Sequence, residues 1–331
     1  MAIVIPGDEE FPVRVVGCRW EAAGVVSLRL ERPDGGTLPP WEPGAHVELT
    51  LPSGRIRHYS LCGPREDPHG YTIAVLREPS GRGGSAEIHD TGLVGRELRI
   101  RGPRNNFPLR PASSYVLVAG GIGITPILSM ARELAARGSA WRLYYGGRSL
   151  RSMSFLPAVD SLAGSAAAPV EVRAEDESGL LAIADIVADA PAGAAIYACG
   201  PAGLLEALRS ATGSRGGDLE VHFEVFTAPV PGEDGEIEAG RHERPFTVVL
   251  AQSGETVRVT DGTTILEAVR EVVPEVPYSC EEGFCGTCVT KVISGSPVHR
   301  DTVLSAEDHA AGDTMTICVG SSASAELVLD L

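Results

Sequence analysis

Four cysteines have the spacing expected of metal-cluster ligands. Cys280, Cys285 and Cys288 occupy a stretch of nine residues, and Cys318 follows thirty positions after Cys288. The plant-type 2Fe-2S site has this arrangement, in which one loop supplies three thiolates and a distant strand supplies the fourth. The spacing therefore predicts a 2Fe-2S cluster with these four cysteines as its ligands.

The glycines of the same loop agree with this prediction. Gly283 and Gly286 would let the backbone wrap closely around a cluster and present N–H groups to its sulfides. Two other interpretations stay open from the residues alone: a structural zinc site, although the loop has only one CxxC pair, and cysteines buried in a core. A Rieske cluster would need two histidine ligands, and the nearest histidine, His299, is interpreted as structural.

A glycine-rich turn in the middle of the chain has the pattern of a phosphate site. The stretch AGGIGITP, residues 119–126, follows a strand pattern and begins a helix. Gly120, Gly121 and Gly123 would let a phosphate approach the backbone at the helix N-terminus. The stretch departs from the strict GxGxxG pattern, so the alternative is a turn that binds nothing.

A second strand end, YACGP at residues 197–201, also runs into a predicted helix. Ligands of open α/β sheets bind beyond the carboxyl ends of the strands, so Cys199 and Gly200 lie where a nicotinamide would bind. Cys199 is equally well interpreted as a small buried residue.

A strand and a glycine loop nearer the N-terminus form a third group. RHYSL, residues 57–61, ends a predicted strand, and GRGGS, residues 81–85, follows about twenty residues later. Arginine and serine side chains here would bind a phosphate, and Tyr59 would pack against an aromatic ring system. Taken alone, these residues are better explained as surface arginines beside a glycine turn than as a phosphate site.

The elements that must position these groups change in type along the chain. Residues 1–110 contain short β-rich runs between Gly/Pro turns, which is typical of an antiparallel barrel or sandwich. Residues 111–226 alternate strand and helix patterns, which predicts a parallel sheet with crossover helices. Residues 227–244 are polar and Gly/Pro-rich, which indicates a linker.

Two local signals predict helix ends. The pattern PILSMARELAARG predicts an amphipathic helix that ends at Gly138. Beyond the linker, in residues 245–331, FTVVLAQSGETVRV predicts a β-hairpin, and the spacing of Thr264 and Glu267 predicts a capping box that begins a helix over TILEAVREVV.

The charge of the chain limits its partners. The 331 residues have a net charge of -16, and residues 245–331 contain 13 acidic against 4 basic residues. This balance disfavours nucleic acid and anionic membranes and favours a basic partner surface. We expect neither secretion nor organelle import, because the start, MAIVIPGDEEF, has no basic region and its apolar run is interrupted. Glycines and Pro126 divide the uncharged stretch 111–131, which argues against a membrane span. Seven unevenly spaced cysteines are typical of a reducing compartment, so we expect a cytoplasmic protein.

In this order, the motifs resemble those of the phthalate dioxygenase reductase and vanillate O-demethylase reductase family. The resemblance covers nearly the whole chain, including RHYSL, GGIGITP, YACGP, HFEVF, CEEGFCGTC and HRDTVL. It implies a multidomain protein: an antiparallel β-barrel domain for FMN at 1–110, a Rossmann-like α/β domain for NAD(H) at 111–226, a linker at 227–244, and a β-grasp ferredoxin domain at 245–331. One departure follows Cys318, where the family commonly continues with serine, arginine and alanine and this chain has VGSSA.

The resemblance also implies site residues at the positions that match the family motifs. It implies FMN contacts from the flavin segment, namely Arg57, Tyr59, Ser60, Val75, Arg77, Gly83, Gly84 and Ser85. It implies nicotinamide contacts from the α/β segment, namely Gly120, Gly121, Gly123, Gly200 and Pro201. Three residues would position the nicotinamide against the flavin: Thr125, Cys199 and Phe226.

The implied activity is transfer of electrons from NADH, through FMN and the 2Fe-2S cluster, to a terminal oxygenase. The expected acceptor is a Rieske non-haem iron oxygenase that hydroxylates or demethylates aromatic substrates. A cytochrome P450 is the alternative acceptor, and a redox sensor without turnover is the alternative of a different class. Hydride transfer itself requires no acid or base, so the residues expected to matter are positioning residues.

The choice of nicotinamide and the oligomeric state are further expectations. The acidic run at residues 175–177 favours NADH, because a carboxylate there would bind ribose hydroxyls and repel a 2′-phosphate. Arg148 and Arg151 favour NADPH. We expect NADH, and we expect a monomer.

Overall fold

The chain forms two compact units, Met1–Phe226 and Thr227–Leu331. The computed structural model describes residues 10–79, 83–166, 169–215, 218–226, 244–278, 281, 283, 286–301, 303–304 and 306–331. Most of the predicted linker and two ligand candidates, Cys280 and Cys285, lie outside these described residues. Within the described ranges, no helix has the length and apolar character needed to cross a membrane.

An antiparallel barrel forms the N-terminal part of the first unit. Its elements are the strands β1 (Glu10–Ala22), β2 (Val25–Glu31), β3 (His46–Thr50), β4 (Ile56–Ser60) and β5 (Gly70–Leu76), the helix α1 (Gly84–Asp90) and the strand β6 (Glu97–Arg104). The strand order is β4-β3-β6-β1-β2-β5. A bridge between Leu61 and Ile73 joins the two outer strands and closes the sheet. The alternating strands therefore enclose one apolar core, in which Leu30, Leu49 and Ile100 are fully buried.

A parallel sheet forms the rest of the first unit. Its elements are β7 (Tyr115–Gly120), α2 (Ile124–Arg137), β8 (Trp141–Gly147), α3 (Leu156–Ala166), β9 (Val170–Ala174), α4 (Glu175–Ser178), α5 (Ile183–Ala188), β10 (Ala195–Cys199), α6 (Ala202–Gly213) and β11 (Glu220–Glu224). The strand order is β11-β10-β7-β8-β9. The order reverses at β7, so the crevice expected of a doubly wound sheet lies at the carboxyl ends of β7 and β10.

Burial explains the central strand β7, and a glycine cap explains where α2 ends. Every residue of β7 is buried, as expected of a central parallel strand covered on both faces. The helix α2 ends where the sequence predicts, because Gly138 adopts the left-handed conformation and its N–H bonds back to Ala135.

A hydrogen bond and an ion pair hold the barrel against the parallel sheet. The backbone N–H of Gly44 donates to Ser129 Oγ at 3.3 Å, and Arg65 forms an ion pair with Glu133 at 2.9 Å. Both partners from the sheet lie on α2, which begins at the crevice. The helix therefore connects the two layers of this unit.

The segment that joins the two layers packs on the parallel sheet. The rings of Phe107 and Tyr197 lie 5.4 Å apart, and the N–H of Arg110 donates to Tyr197 Oη at 2.7 Å. The residues just before the predicted boundary at residue 110 therefore contact the parallel sheet directly.

The second unit is a mixed sheet with short helices. Its elements are β12 (Phe246–Leu250), β13 (Thr256–Val259), α7 (Ile265–Arg270), β14 (Val289–Ser294), β15 (Pro297–Val298), α8 (Ala306–Ala311), β16 (Thr314–Thr316), β17 (Ser321–Ser322) and β18 (Glu326–Leu329). The strand orders are β13-β12-β18-β14-β16 and β15-β17. The predicted hairpin is the antiparallel pair β12–β13, and α7 packs its apolar residues Ile265 and Val269 into the core.

The capping box at the start of α7 is present as predicted. Thr264 Oγ1 accepts a hydrogen bond from the Glu267 N–H at 3.1 Å, and Glu267 Oε2 accepts one from the Thr264 N–H at 2.8 Å. The helix ends at Arg270, so it is shorter than its sequence pattern predicts.

The tight packing at Gly123 gives a prediction for stability. A Cβ at this position would lie 2.2 Å from the carbonyl oxygen of Cys199, a backbone atom that cannot move without displacing β10. We expect Gly123→Ala to lower the free energy of unfolding by about 1–3 kcal/mol, because overpacking forces the backbone to shift. Urea denaturation measures the change. Gly203→Ala in α6 is the control, since a Cβ there meets nothing within 4 Å; equal effects of the two changes would refute the explanation.

Candidate functional site

The carboxyl ends of β7 and β10 meet with almost no space between their backbones. A Cβ on Gly200 would lie 2.9 Å from the Cα of Gly120, and a Cβ on Gly120 would lie 2.6 Å from Pro201 Cδ. Three of the predicted nicotinamide residues are thus brought together, and glycine is required there by contacts within the protein. Gly121 differs, because its φ is +55° and a Cβ would meet nothing within 4 Å. Within this turn, its backbone is the part that is open to a ligand.

Thr125 and Cys199, two of the predicted positioning residues, line the floor of this crevice. Thr125 is buried at the start of α2, and its hydroxyl donates to the carbonyl oxygen of Ile122 at 3.0 Å. Cys199 is fully buried, and burial, followed by the nearby Glu224 carboxyl, raises the pKa of its thiol well above the ordinary range. A neutral thiol is a weak nucleophile, so the geometry favours a positioning role for Cys199.

Glu224 is a residue of this crevice that the sequence analysis missed. It ends β11, and its backbone is in register with Cys199 on β10. Its Oε2 atom is buried and has no hydrogen-bond partner within the described part of the chain. Burial raises the pKa of its carboxyl to about 8, so the group is mainly neutral at pH 7. The signal available in the sequence is the motif HFEVF, which contains both Glu224 and Phe226.

Phe226 lies two residues beyond Glu224 at the end of the first unit. Its ring is partly buried and packs against the apolar core that contains Tyr197 and Cys199. The third predicted positioning residue therefore lies on the same side of the sheet as the buried thiol.

The predicted flavin residues lie at one end of the barrel. Arg57, Tyr59 and Ser60 belong to β4, Val75 belongs to β5, and Arg77 follows β5 directly. The closing bridge between Leu61 and Ile73 brings these two strands together. The ring of Tyr59 is partly buried against the barrel core.

The glycine loop packs against the same strands. A Cβ on Gly84 would lie 2.6 Å from Arg57 Nε, so the arginine side chain lies directly over the start of α1. Ser85 Oγ accepts a hydrogen bond from the Glu78 N–H at 3.0 Å, and Gly83 adopts the left-handed conformation that precedes α1. An arginine over a Gly-Gly-Ser turn suits the phosphate of FMN. Arg77 forms an ion pair with Asp90 at 2.8 Å.

Two of the four predicted cluster ligands lie in the described part of the chain, and the sheet brings them together. Cys288 immediately precedes β14, and Cys318 follows β16 by two residues; these strands pair antiparallel, with Val289 opposite Thr316. The N–H of Ile317 donates to the carbonyl oxygen of Cys288 at 3.3 Å. Both cysteine side chains are buried. The ladder thus joins the loop ligand to the distant ligand, as plant-type 2Fe-2S ligation requires.

The glycines of the cysteine loop have the conformation that a tight wrap needs. Gly283 and Gly286 both have a φ of +76°. A Cβ on Gly283 would lie 2.6 Å from Val319 Cγ2 and 3.1 Å from the Cα of Asp301. The loop therefore packs directly on the turn after Cys318, and thiolate donors beside backbone N–H groups suit a 2Fe-2S cluster.

The residues that bear on nicotinamide choice lie side by side. The acidic run forms the exposed helix α4, immediately after β9, and the N–H of Asp176 donates to the carbonyl oxygen of Arg148 at 3.1 Å. Arg148 follows β8, the neighbour of β9 in the sheet. The two opposing sequence signals therefore occupy one edge of the crevice.

Comparison with known proteins agrees with this layout. Residues 117–210 match the oxidoreductase NAD-binding domain family, and residues 248–320 match the 2Fe-2S iron-sulfur cluster binding domain family. Phenoxybenzoate dioxygenase subunit beta of Ectopseudomonas oleovorans is 42% identical over 321 residues, which cover 96% of this chain and 97% of that protein. Phthalate dioxygenase reductase of Burkholderia cepacia is 38% identical over 312 residues, which cover 94% of each.

Solved structures agree over the same length. The structure of a phthalate dioxygenase reductase matches with a TM-score of 0.79 at 37% identity and covers 98% of both chains. An intact type IV self-sufficient cytochrome P450 monooxygenase matches with a TM-score of 0.77 at 37% identity; the match covers 100% of this chain and 43% of that chain.

The fold and its two matched domains define an NADH-dependent oxidoreductase with a flavin barrel, a nicotinamide-binding sheet and a ferredoxin unit. The chain belongs to the phthalate dioxygenase reductase and vanillate O-demethylase reductase family. Its cofactors are accordingly FMN, a 2Fe-2S cluster and NADH. The multidomain fold and the cofactors expected from the sequence are confirmed.

The buried carboxyl of Glu224 predicts a pH dependence of stability. Its pKa rises from 4.5 to about 8 on folding, so the folded protein retains a proton that the unfolded chain has lost between these values. Stability should therefore fall as the pH rises through this window. We expect Glu224→Gln to remove that fall, so that the variant gains stability relative to the parent at pH 8.5 and not at pH 5.

Urea denaturation at several pH values measures the effect. Glu206→Gln, on the exposed surface of α6, controls for the loss of one carboxylate. Parallel pH profiles for the parent and Glu224→Gln would show that Glu224 keeps its ordinary pKa.

Proposed function

We propose that this protein is the reductase component that passes electrons from NADH, by way of FMN and the 2Fe-2S cluster, to a Rieske non-haem iron oxygenase acting on aromatic compounds. The observation that carries the proposal is the end-to-end match to oxygenase reductases, with the nicotinamide domain and the cluster domain in the same order in one chain. We also propose that it acts in the cytoplasm as a monomer, with domains at 1–110, 111–226 and 245–331 joined by a linker at 227–244.

The residues of the crevice have a positioning role in this proposal. FMN held by the barrel would supply acceptance of a hydride from NADH and release of single electrons, which matches the one-electron capacity of a 2Fe-2S cluster. The open backbone at Gly121 is where the dinucleotide would approach the sheet. Thr125, Cys199 and Phe226 would hold the nicotinamide ring against the flavin, and a neutral Glu224 leaves no negative charge beneath it at pH 7.

The flavin site would be formed by the barrel end. Arg57 lies over Gly84, where it would pair with the FMN phosphate, and Tyr59 would border the ring system. Glu175, Asp176 and Glu177 at the exposed rim favour NADH, because the 2′-phosphate of NADPH would meet like charge there.

The charge of the cluster unit supports an oxygenase partner with a basic docking face. Residues 245–331 contain 13 acidic and 4 basic residues, which is 9 of the 16 excess negative charges of the chain. Complementary charge speeds association and orients the encounter. Delivery should therefore slow as the ionic strength rises.

A cytochrome P450 is the second candidate acceptor, and one observation favours it. The match to a self-sufficient cytochrome P450 monooxygenase covers all of this chain but less than half of that one. The chain corresponds there to one part of a longer protein, so a related reductase does occur joined to a P450.

Reconstitution distinguishes the acceptors. The purified protein, NADH and either a Rieske oxygenase or a P450 are combined, and product is measured against NADH consumed. We expect product with Rieske partners and fast bleaching of the flavin by NADH. Turnover with P450 partners alone would overturn the acceptor, and a flavin that NADH fails to bleach would support the sensor alternative.

Loss of a cluster ligand should leave flavin reduction by NADH intact and stop electron transfer to the oxygenase. Cys318→Ser and Cys285→Ser are expected to leave NADH-driven flavin bleaching within about twofold of the parent and to abolish reduction of the oxygenase, because the cluster is the outlet. Stopped-flow absorbance measures both steps. Cys18→Ser, at an exposed cysteine of β1, is the control that should affect neither. Oxygenase reduction that survives ligand loss would make the flavin the outlet.

A further inference from the structure

Two histidines and an aspartate of the second unit converge beside the cysteine loop. His299 follows β15, Asp301 lies two residues later, and His309 lies on α8. Their potential ligand atoms all lie within 4.8 Å of one another. None of the three is a cysteine or belongs to the predicted cluster ligands. We call them the His-Asp-His group.

The geometry of the group is compact. His309 Nε2 lies 3.3 Å from each carboxylate oxygen of Asp301, and His299 Nδ1 lies 3.8 Å from Asp301 Oδ1. The two imidazole rings stack, with centroids 4.4 Å apart and planes 15° from parallel. Both rings therefore present nitrogen to the same carboxylate.

The group contains buried polar atoms that lack partners. The Asp301 side chain is 0% exposed, and the His299 side chain is 10% exposed. Asp301 Oδ1 and both ring nitrogens of His299 have no hydrogen-bond partner within the described ranges. Asp301 Oδ2 accepts a bond from the Leu304 N–H at 2.8 Å and shares a hydrogen bond of 3.3 Å with His309 Nε2, so this oxygen is paired and the carboxylate is held in place. Buried polar atoms are nearly always paired, so these three require an explanation.

A cation at the group would pair with Asp301 Oδ1 and with one of the two ring nitrogens of His299. A buried carboxylate is costly unless it is paired or coordinates a metal. Two imidazole nitrogens and one carboxylate oxygen form a donor set that suits Zn²⁺, Co²⁺ and similar ions, which three protein ligands bind with a position left open. Mg²⁺ and Ca²⁺ prefer oxygen donors and fit less well.

We propose that His299, Asp301 and His309 form a binding site for one divalent first-row transition-metal ion, separate from the cysteine-ligated cluster. The side chain of His309 is 32% exposed, which gives an ion access from solvent. The backbone of Asp301 packs against Gly283, so the metal site lies in contact with the cysteine loop. A bound ion would hold Asp301 in place against this loop.

The test is a metal titration of the holoprotein, produced without a histidine tag. Zn²⁺ is added by isothermal titration calorimetry, and bound metal is counted by elemental analysis after dialysis, while visible absorbance reports whether the 2Fe-2S cluster stays intact. We expect one Zn²⁺ per chain with no loss of cluster absorbance, a rise in Tm on binding, and much weaker binding of Mg²⁺.

Variants assign the site. His309→Gln and His299→Gln should each weaken Zn²⁺ binding by at least about tenfold, since each removes a direct ligand. His69→Gln, at an exposed histidine of the barrel, should bind as the parent does. Two histidine variants are used so that a folding defect in one, seen as lost cluster absorbance, leaves the other to decide.

Three results would overturn the proposal. The first is that the intact holoprotein binds no Zn²⁺ at micromolar concentrations. The second is that both histidine variants still bind Zn²⁺ as the parent does. The third is that Zn²⁺ binding accompanies loss of the cluster, which would assign the Zn²⁺ to the thiolates.

Discussion

The close approach of two parallel strands is the constraint on which the first unit depends. Gly120 on β7 and Gly200 after β10 leave room for backbone only, and Gly123 lies against the carbonyl group of Cys199. This contact places the start of α2 directly above β10, which buries Thr125 and Cys199 together. The same helix bonds to the barrel through Ser129 and Glu133, so the close packing of Gly123 on β10 also affects where the barrel lies relative to the crevice.

Local signals in the sequence were sufficient for much of the fold. Gly138 ended α2 and the Thr264–Glu267 box began α7 because caps depend on residues three or four positions apart. The sequence pattern also identifies the glycines near residue 120, but it indicates only one of the two reasons why glycine is needed there. Sequence spacing suggested room for a phosphate, whereas Gly120 and Gly123 mainly make room for β10, a strand about eighty residues away.

Features that depend on distant pairings were not predictable. Glu224 is a partly buried carboxyl, mainly neutral at pH 7, only because β11 lies beside β10. Arg148 contacts the acidic helix α4 only because β8 lies beside β9. The His-Asp-His group is not predictable from the sequence for the same reason. In the sequence His299 is an isolated histidine, and only the fold places His309 of α8 against its ring. In the second unit, the pairing of β14 with β16 brings together Cys288 and Cys318, which are thirty residues apart in the sequence. The spacing of the cysteines does not specify this pairing.

The contrast between the crevice floor and the α4 rim has a consequence for how such reductases diverge. The floor at Gly120, Gly123 and Gly200 tolerates no added atom, whereas the side chains of α4 lie exposed at the rim and make few contacts that substitution would break. On the proposed role of α4, exchange of these exposed residues would alter which dinucleotide is accepted and would leave the floor of the crevice unchanged. Coenzyme preference and the geometry of hydride transfer would then be separable traits, able to change on independent mutational paths.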